Sequence, residues 1–358
     1  MPKILTVVGA RPQFVKAAAL SRALKENAIE EILVHTGQHF DENMAEIFFR
    51  QMDIPEPKYN FGLNSLSHGA MTGRMLEEIE KVLLIEKPSA VVVFGDTNST
   101  LAGALAASKL NIPVVHVEAG LRSFNMKMPE EINRILTDRI SSYLFCPTEV
   151  AIKNLKAESF ENFGINIIYS GDIMYDVALY YSRVSGEKST IINDSGLNKK
   201  QFILTTLHRQ ENTDDLTRLN AIISALNILS GEYQIVLPIH PRTRKILESN
   251  HIKLNFGPID PVGYFDMVEL LKHCKMVITD SGGVQKEAFF FGKHCLVARD
   301  ETEWTELVDL NYNFMVGADT KKIIETVEKV SKSNAKFDVK PYGDGNAAEK
   351  IALYLKNL

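Results

Sequence analysis

The stretch from Val114 to Arg134, VVHVEAGLRSFNMKMPEEINR, constrains the fold more than any other part of the chain. It opens with an apolar, β-branched run that reads as a strand buried on both faces. The run breaks at Ala119-Gly120 into a loop that ends at Pro129, a favoured first residue of a helix. A buried strand that gives way to a polar loop and then a helix is the repeating unit of a parallel α/β sheet. Ligands of such sheets sit beyond the carboxyl ends of the strands, and this break supplies Glu118, Arg122, Glu130 and Glu131 there. Glu130 and Glu131 also suit the positive end of a helix dipole, so position alone leaves a structural role open for that pair.

The pattern recurs along the chain. Ile4–Val8 is a short apolar strand, Gly9-Ala10-Arg11-Pro12 a tight turn, and the helix that follows carries Lys16 with an apolar face of Ala17, Leu20 and Leu24. Ile32–Val34, Val91–Phe94 and Tyr143–Cys146 repeat the strand, with helical stretches such as Ala70–Leu84 and Leu101–Leu110 between them. The segment 185–200 is polar and reads as a loop, after which alternation restarts with strands at Phe202–Leu207, Tyr233–Ile239, Met276–Thr279 and His294–Ala298. Two stretches echo each other weakly, VVVFGDTNSTLAGALAASKLNIPVVHV and KMVITDSGGVQKEAFFFGKHCLVAR: each is a strand ending in Asp, then a helix of small and apolar residues, then another strand. The expected fold class is α/β, with two Rossmann-like domains facing a cleft. One domain is expected over residues 1–169 plus 346–358 and the other over 170–345, with Asp96 and Asp280 at the cleft walls. The closing AAEKIALYLKNL reads as a capped helix that returns to the first half.

Composition narrows the function. A net charge of -5 argues against a dedicated nucleic-acid binder, and no apolar run reaches transmembrane length. Cys146, Cys274 and Cys295 lie in apolar surroundings without metal-ligand spacing and read as reduced core residues. Met1 leads straight into a strand, without a leader pattern, so a cytoplasmic protein is expected.

Chemistry gathers at the strand ends. Thr279-Asp280-Ser281-Gly282-Gly283 follows a strand and opens a helix, where backbone N–H groups and the helix dipole favour a phosphate, with Glu287 placed to reach ribose hydroxyls. Arg11, His208, Arg209 and His240 also fall just after strands, and Lys16 adds a point charge. Asp96 in GDTNST and Glu118 in HVEAG end successive strands, and paired carboxylates suggest proton abstraction and donation. Asp96 is also a plausible helix N-cap, shared with Thr97 or Ser99.

In GARPQFVK (9–16), HTGQH (35–39), GDTNSTLA (95–102), HVEAGLR (116–122), PEEINR (129–134), HRQEN (208–212), TDSGGVQKEA (279–288) and YGDG (342–345), the chain resembles the nonhydrolysing UDP-N-acetylglucosamine 2-epimerases, which share the GT-B glycosyltransferase architecture. The resemblance spans nearly the whole length. It implies that Arg11, Lys16, His208 and the Ser281, Gly282, Gly283 loop bind the diphosphate of a UDP-sugar, with Glu287 on the ribose. It implies catalytic roles for Asp96, Glu118, Glu130 and His208, and substrate contacts from Arg122, Arg209 and His240. The implied reaction removes the C2 proton with anti elimination of UDP, then readds UDP to the glycal with protonation on the opposite face. No metal or other cofactor is implied, and a homodimer is.

The chain departs from the commonest family members at Ala10, Gln13, Phe14-Val15, Gln210, Val262, Met267 and Trp304. GARPQF, LRSFNMKMPEEINR and RDETEW resemble the branch acting on UDP-2,3-diacetamido-2,3-dideoxy-glucuronate, which serves surface polysaccharide synthesis. On that reading Arg122 or Lys127 meets the substrate carboxylate, and Phe14 and Phe124 pack against acetamido methyls. The competing functions are simple UDP-N-acetylglucosamine 2-epimerisation, a GT-B glycosyltransferase that passes the sugar to an acceptor, and a UDP-sugar sensor without turnover.

Overall fold

The computed structural model describes residues 2–38, 54–197 and 201–358, in two compact units: Met1–Val177 with Lys340–Leu358, and Ala178–Val339. In the first unit, strands β1 (Lys3–Val8), β2 (Glu30–His35), β3 (Tyr59–Asn60), β4 (Ala90–Phe94), β5 (Val114–Val117), β6 (Tyr143–Cys146) and β7 (Asn166–Tyr169) form a seven-stranded parallel sheet in the order β3-β2-β1-β4-β5-β6-β7. The order reverses direction between β1 and β4, and at such a switch point the loops leaving two neighbouring strands part and open a crevice. Arg11 follows β1 and Asp96 follows β4, so the switch point and the candidate residues coincide.

Helices close both faces. The Asn98–Lys109 helix is rich in alanine, and Gly103 lets it lie directly on the sheet, where an added methyl would come 3.1 Å from Val93 and 3.2 Å from Val7. Thr97 caps this helix by accepting from Thr100 N, so Asp96 is relieved of capping. Leu5, Val7, Ile32, Val34, Val91 and Val93 form the apolar face beneath it, with Met75, Ile79 and Leu83 of the His68–Glu86 helix. The Ala347–Lys356 helix packs against the Arg11–Glu26 helix in the same unit, with Tyr354 edge-on to Phe145 at 5.5 Å.

The second unit repeats the plan with β8 (Phe202–Thr206), β9 (Gln234–Val236), β10 (Met276–Thr279), β11 (Cys295–Val297) and β12 (Asn313–Met315), a five-stranded parallel sheet in the order β12-β11-β10-β8-β9. Strand β8 alternates faces as a two-residue period requires. Ile203 joins the core under the Leu216–Leu229 and Thr320–Ser331 helices, while Phe202 and Leu204 join the core under the Tyr264–His273 helix. Here the switch point lies between β8 and β10, the strands that His208 and Ser281 follow.

Some expectations are corrected. The segment 185–200 is not a loop throughout: the helix that starts at Ile173 runs to Lys188 and a turn of helix covers Ile191–Asp194, while 198–200 lie outside the described residues. Strands β3 and β12, of two and three residues, are too short to leave a periodic signal. No helix among the described residues is long and apolar enough to cross a membrane. The three cysteines are free and buried, and burial pushes the Cys274 thiol up to about 12.

Candidate active site

Three turns of the first unit converge. Arg11, half-buried, is the first residue of the helix that follows β1, and Lys16 lies buried on that helix one turn further in. Lys16 Nζ is ion-paired with Glu118 Oε2, both side chains being 9% exposed. Glu118 ends β5 with a φ of +69°, a left-handed conformation that costs a non-glycine residue about 1–2 kcal/mol. The turn is held because the N–H groups of Glu118 and Ala119 both donate to Phe145 O at 3.1 Å. Gly95, at the end of β4, packs against this ion pair. A methyl group there would lie 3.2 Å from the Glu118 carboxylate and 3.4 Å from the Lys16 ammonium, and its φ of +62° is one that glycine adopts freely. Asp96 comes next and is ion-paired with Arg134.

Gln13 locks the first two turns together. Its Oε1 accepts from Gly9 N at 2.8 Å and Ala10 N at 3.1 Å, while its Nε2 donates to Phe94 O and Thr100 Oγ1, each at 2.9 Å. A carboxylate in this position could not donate to that carbonyl, so the contact requires an amide.

The Pro129–Ile140 helix turns a polar face inward, and Glu130 and Glu131 point different ways from it. Glu131 is wholly buried and accepts from Ser123 N, Ser123 Oγ, Phe124 N and Arg134, at 2.9 to 3.1 Å, so it fastens the loop ahead of its own helix. Glu130 is exposed. Asn133 donates to Asp96 O at 2.9 Å, and Asp138 accepts from His116 and Arg122, each at 2.7 Å.

Arg122 is therefore corrected from substrate contact to buried strut. Its guanidinium grips both oxygens of Glu158 at 2.7 and 2.9 Å, together with Asp138 and its own neighbour's carbonyl at Leu121. Glu158 and Asp138 hold it charged well above its ordinary range despite burial. Phe14 is likewise a core residue, edge-on to His35 at 5.0 Å, and does not present its ring to a ligand. Phe124, by contrast, is 76% exposed, with a φ of +59°. Lys127 beside it is exposed. Of HTGQH, His39 lies outside the described residues.

In the second unit His208 and Arg209 follow β8, and Ser281 is the N-cap of the Gly282–Phe290 helix after β10. Asp280, expected at a ligand-facing wall, is wholly buried. It accepts from His208 N, Arg209 N and Asn212 Nδ2 at 3.0 to 3.3 Å and lies 3.3 Å from His208 Nδ1, so it shapes the 208–212 turn. The His208 side chain stays half exposed. Trp304 Nε1 donates to Gly282 O at 2.9 Å, and Lys286 Nζ sits 4.0 Å from the centre of that indole, so this helix start is braced from below. Glu287 is buried on the same helix. His240, exposed, caps the Pro241–Ser249 helix by accepting from Arg242 N at 3.2 Å. Among the described residues no three His, Cys, Asp or Glu side chains converge as metal ligands would.

A family model described as UDP-N-acetylglucosamine 2-epimerase matches residues 22–356. The chain belongs to that family. It is 54% identical to the UDP-2,3-diacetamido-2,3-dideoxy-D-glucuronate 2-epimerase of Pseudomonas aeruginosa, over 99% of this chain and all of the relative. It is 44% identical to a UDP-N-acetylglucosamine 2-epimerase of Methanococcus maripaludis, over 98% of this chain and 97% of the relative. The crystal structure of the Methanocaldococcus jannaschii UDP-GlcNAc 2-epimerase in complex with UDP-GlcNAc and UDP matches with a TM-score of 0.90 at 43% identity, over 99% of this chain and all of that one. The fold class read from the sequence, mixed α/β with parallel sheets, is that of the epimerase structures.

Motif reading gave Gln13, His116, Glu131, Arg134 and Asp138 no firm role. A signal for three of them was present: Glu131, Arg134 and Asp138 follow the i, i+3, i+7 spacing of one helix face, while Ile132 and Leu136 fall on the other side and are exposed. A helix that buries its charges and exposes its aliphatics is organised around something other than a plain core.

Proposed function

We propose that this protein is a nonhydrolysing 2-epimerase of a UDP-2-acetamido sugar, and specifically of UDP-2,3-diacetamido-2,3-dideoxy-glucuronate. The observation that carries the reading is the strand-end cluster in which Glu118, in a left-handed backbone, lies against Lys16 and Gly95 with Asp96 next in the chain. Family membership and the relative at 54% identity support it.

On this reading a carboxylate of the Asp96, Glu118, Glu130 set removes the C2 proton. The C2–H electron pair becomes the C1–C2 double bond as the C1–O bond breaks, and UDP leaves with the C1–O electron pair. Arg11, His208, Arg209 and the N–H groups of Ser281, Gly282 and Gly283 bind the leaving diphosphate, with Glu287 on the ribose and His240 nearby on the substrate. The reverse steps return UDP to C1 while a second acid protonates C2 on the opposite face. Lys16 orients Glu118, and Lys127 replaces Arg122 as the donor to a C6 carboxylate. A cytoplasmic homodimer feeding surface polysaccharide synthesis belongs to the same reading.

The test is product analysis in deuterated water, with UDP-2,3-diacetamido-2,3-dideoxy-glucuronate and UDP-N-acetylglucosamine as separate substrates. The expected result is a C2 epimer carrying solvent deuterium at C2, with a much higher kcat/KM for the uronate. Equal kcat/KM values would reject the branch but keep the 2-epimerase. Epimerisation with the C2 hydrogen retained, or no epimer from either sugar, would reject the reaction.

A further inference from the structure

We propose that the buried His116–Asp138 pair is a positioning device for Asp96 and Glu118, an inference that rests on the role proposed for those two carboxylates. The His116 ring, wholly buried in β5, has Nδ1 2.7 Å from Asp138 Oδ1 and Nε2 2.7 Å from Gly95 O. A carbonyl and a carboxylate are both acceptors, so the ring is placed to donate from both nitrogens. Burial alone would raise the Asp138 carboxyl, but His116 and Arg122 outweigh it and hold the group below its usual range.

The consequence is geometric. Asp138 also accepts from Gly120 N at 3.2 Å, two residues past Glu118, while His116 holds the carbonyl of Gly95, the residue before Asp96. Gly95 N donates to Val117 O at 3.0 Å, so the peptide groups on both sides of Gly95 are fixed. Gly95 and Gly120 are both left-handed, at φ +62° and +79°, and turns built on glycine drift most easily when nothing ties them. One buried carboxylate thus ties the two turns that bear the reacting groups. Arg122 and Glu158 complete the chain to the surface, with Glu158 one-third exposed. A buried ion pair adds little net stability compared with apolar packing of the same volume. A core with only a structural task here would do as well with two aliphatic side chains, so placement is the better account of the pair.

The experiment compares wild type, His116→Gln, Asp138→Asn and the double variant for kcat, KM, UDP affinity by calorimetry and melting temperature. The expected result is a kcat loss of roughly tenfold to hundredfold, as a small misplacement of reacting groups produces. KM and UDP affinity should stay within about twofold of wild type, and the double variant should lose little more than the worse single, since residues acting as one unit are not additive. Folded variants with wild-type kcat would overturn the proposal, as would a kcat loss matched by equal losses in UDP affinity and melting temperature. Should neither variant fold, wild type labelled with 15N-histidine decides: one ring bearing two protected N–H protons supports the clamp, and its absence overturns it. Wild type without epimerase activity would reject the functional reading and this inference with it; active wild type with unaffected variants rejects the inference alone.

Discussion

Lys16 and Glu118, 102 residues apart in sequence, form an ion pair with each side chain nine-tenths buried. Removing one member of such a pair leaves an uncompensated charge, which costs about 3–5 kcal/mol. Lys16→Met should therefore lower both the melting temperature and turnover. Adding Glu118→Gln should restore much of the stability and none of the activity. Urea titration and kcat on the same preparations check this, and a double variant that regains turnover would place Glu118 outside the chemistry.

Glu130 and Glu131, adjacent in the chain, are expected to separate chemistry from architecture. Glu130→Gln, on an exposed side chain, should lower kcat by about 10²- to 10⁴-fold, the usual contribution of a general acid or base, with the melting temperature unchanged. Glu131→Gln should lower the melting temperature, because its carboxylate holds Ser123 N, Phe124 N and Arg134 together. The reverse pattern would exchange the two roles.

Of the two cations weighed for a substrate carboxylate, Lys127 is exposed, while Arg122 is buried against Asp138 and Glu158. Lys127→Met should lower kcat/KM for the uronate by roughly tenfold to hundredfold, the equivalent of a charge-assisted bond of about 1.5–3 kcal/mol, and leave UDP-N-acetylglucosamine unaffected. Equal losses on both sugars would remove Lys127 from substrate recognition.

Trp304 is the single tryptophan of the chain, and its indole N–H is bonded to Gly282 O at the start of the expected phosphate-binding helix. UDP should change its emission in a saturable way, with the same Kd as calorimetry gives. Calorimetric binding with a silent indole would move the diphosphate away from Gly282.

Asp176 makes stability depend on pH. Burial holds its carboxyl up at about 6, against an ordinary 3.8, although it accepts from Ala348 N at 2.7 Å. The folded state thus keeps its proton where the unfolded chain has lost it. Stability falls as pH rises from near 3.8 through about 6, by about 3 kcal/mol for this group. Asp176→Asn should flatten that part of the profile and raise the urea midpoint at pH 7 to 8. An unchanged slope between pH 4 and 6 would show that other groups carry it, among them Glu31, which burial also raises.

The sequence by itself determined the elements and their kind. β-Branched runs of four to six residues, each broken by a charged or glycine-rich turn, have one good solution in a parallel sheet, and Pro129 and Thr97 set helix starts locally. It also placed the candidate residues at strand ends, because that placement follows from chain order. Which of those charges are taken up by other protein groups was decided only by the tertiary structure. Arg122 and Asp280 look like ligand-binding residues in sequence and are struts in the fold, because the groups that occupy them, Glu158 with Asp138 and the 208–212 turn, are 16 to 72 residues away. Glu130 and Glu131 differ by one position, and a rotation of about 100° on the helix sends one to solvent and the other into the loop's N–H groups. His116 read as one more strand residue until Gly95 and Asp138 closed on its two nitrogens. Hydrogen-bond satisfaction in a buried site depends on partners brought from distant segments, and local pattern carries no record of which partners arrive.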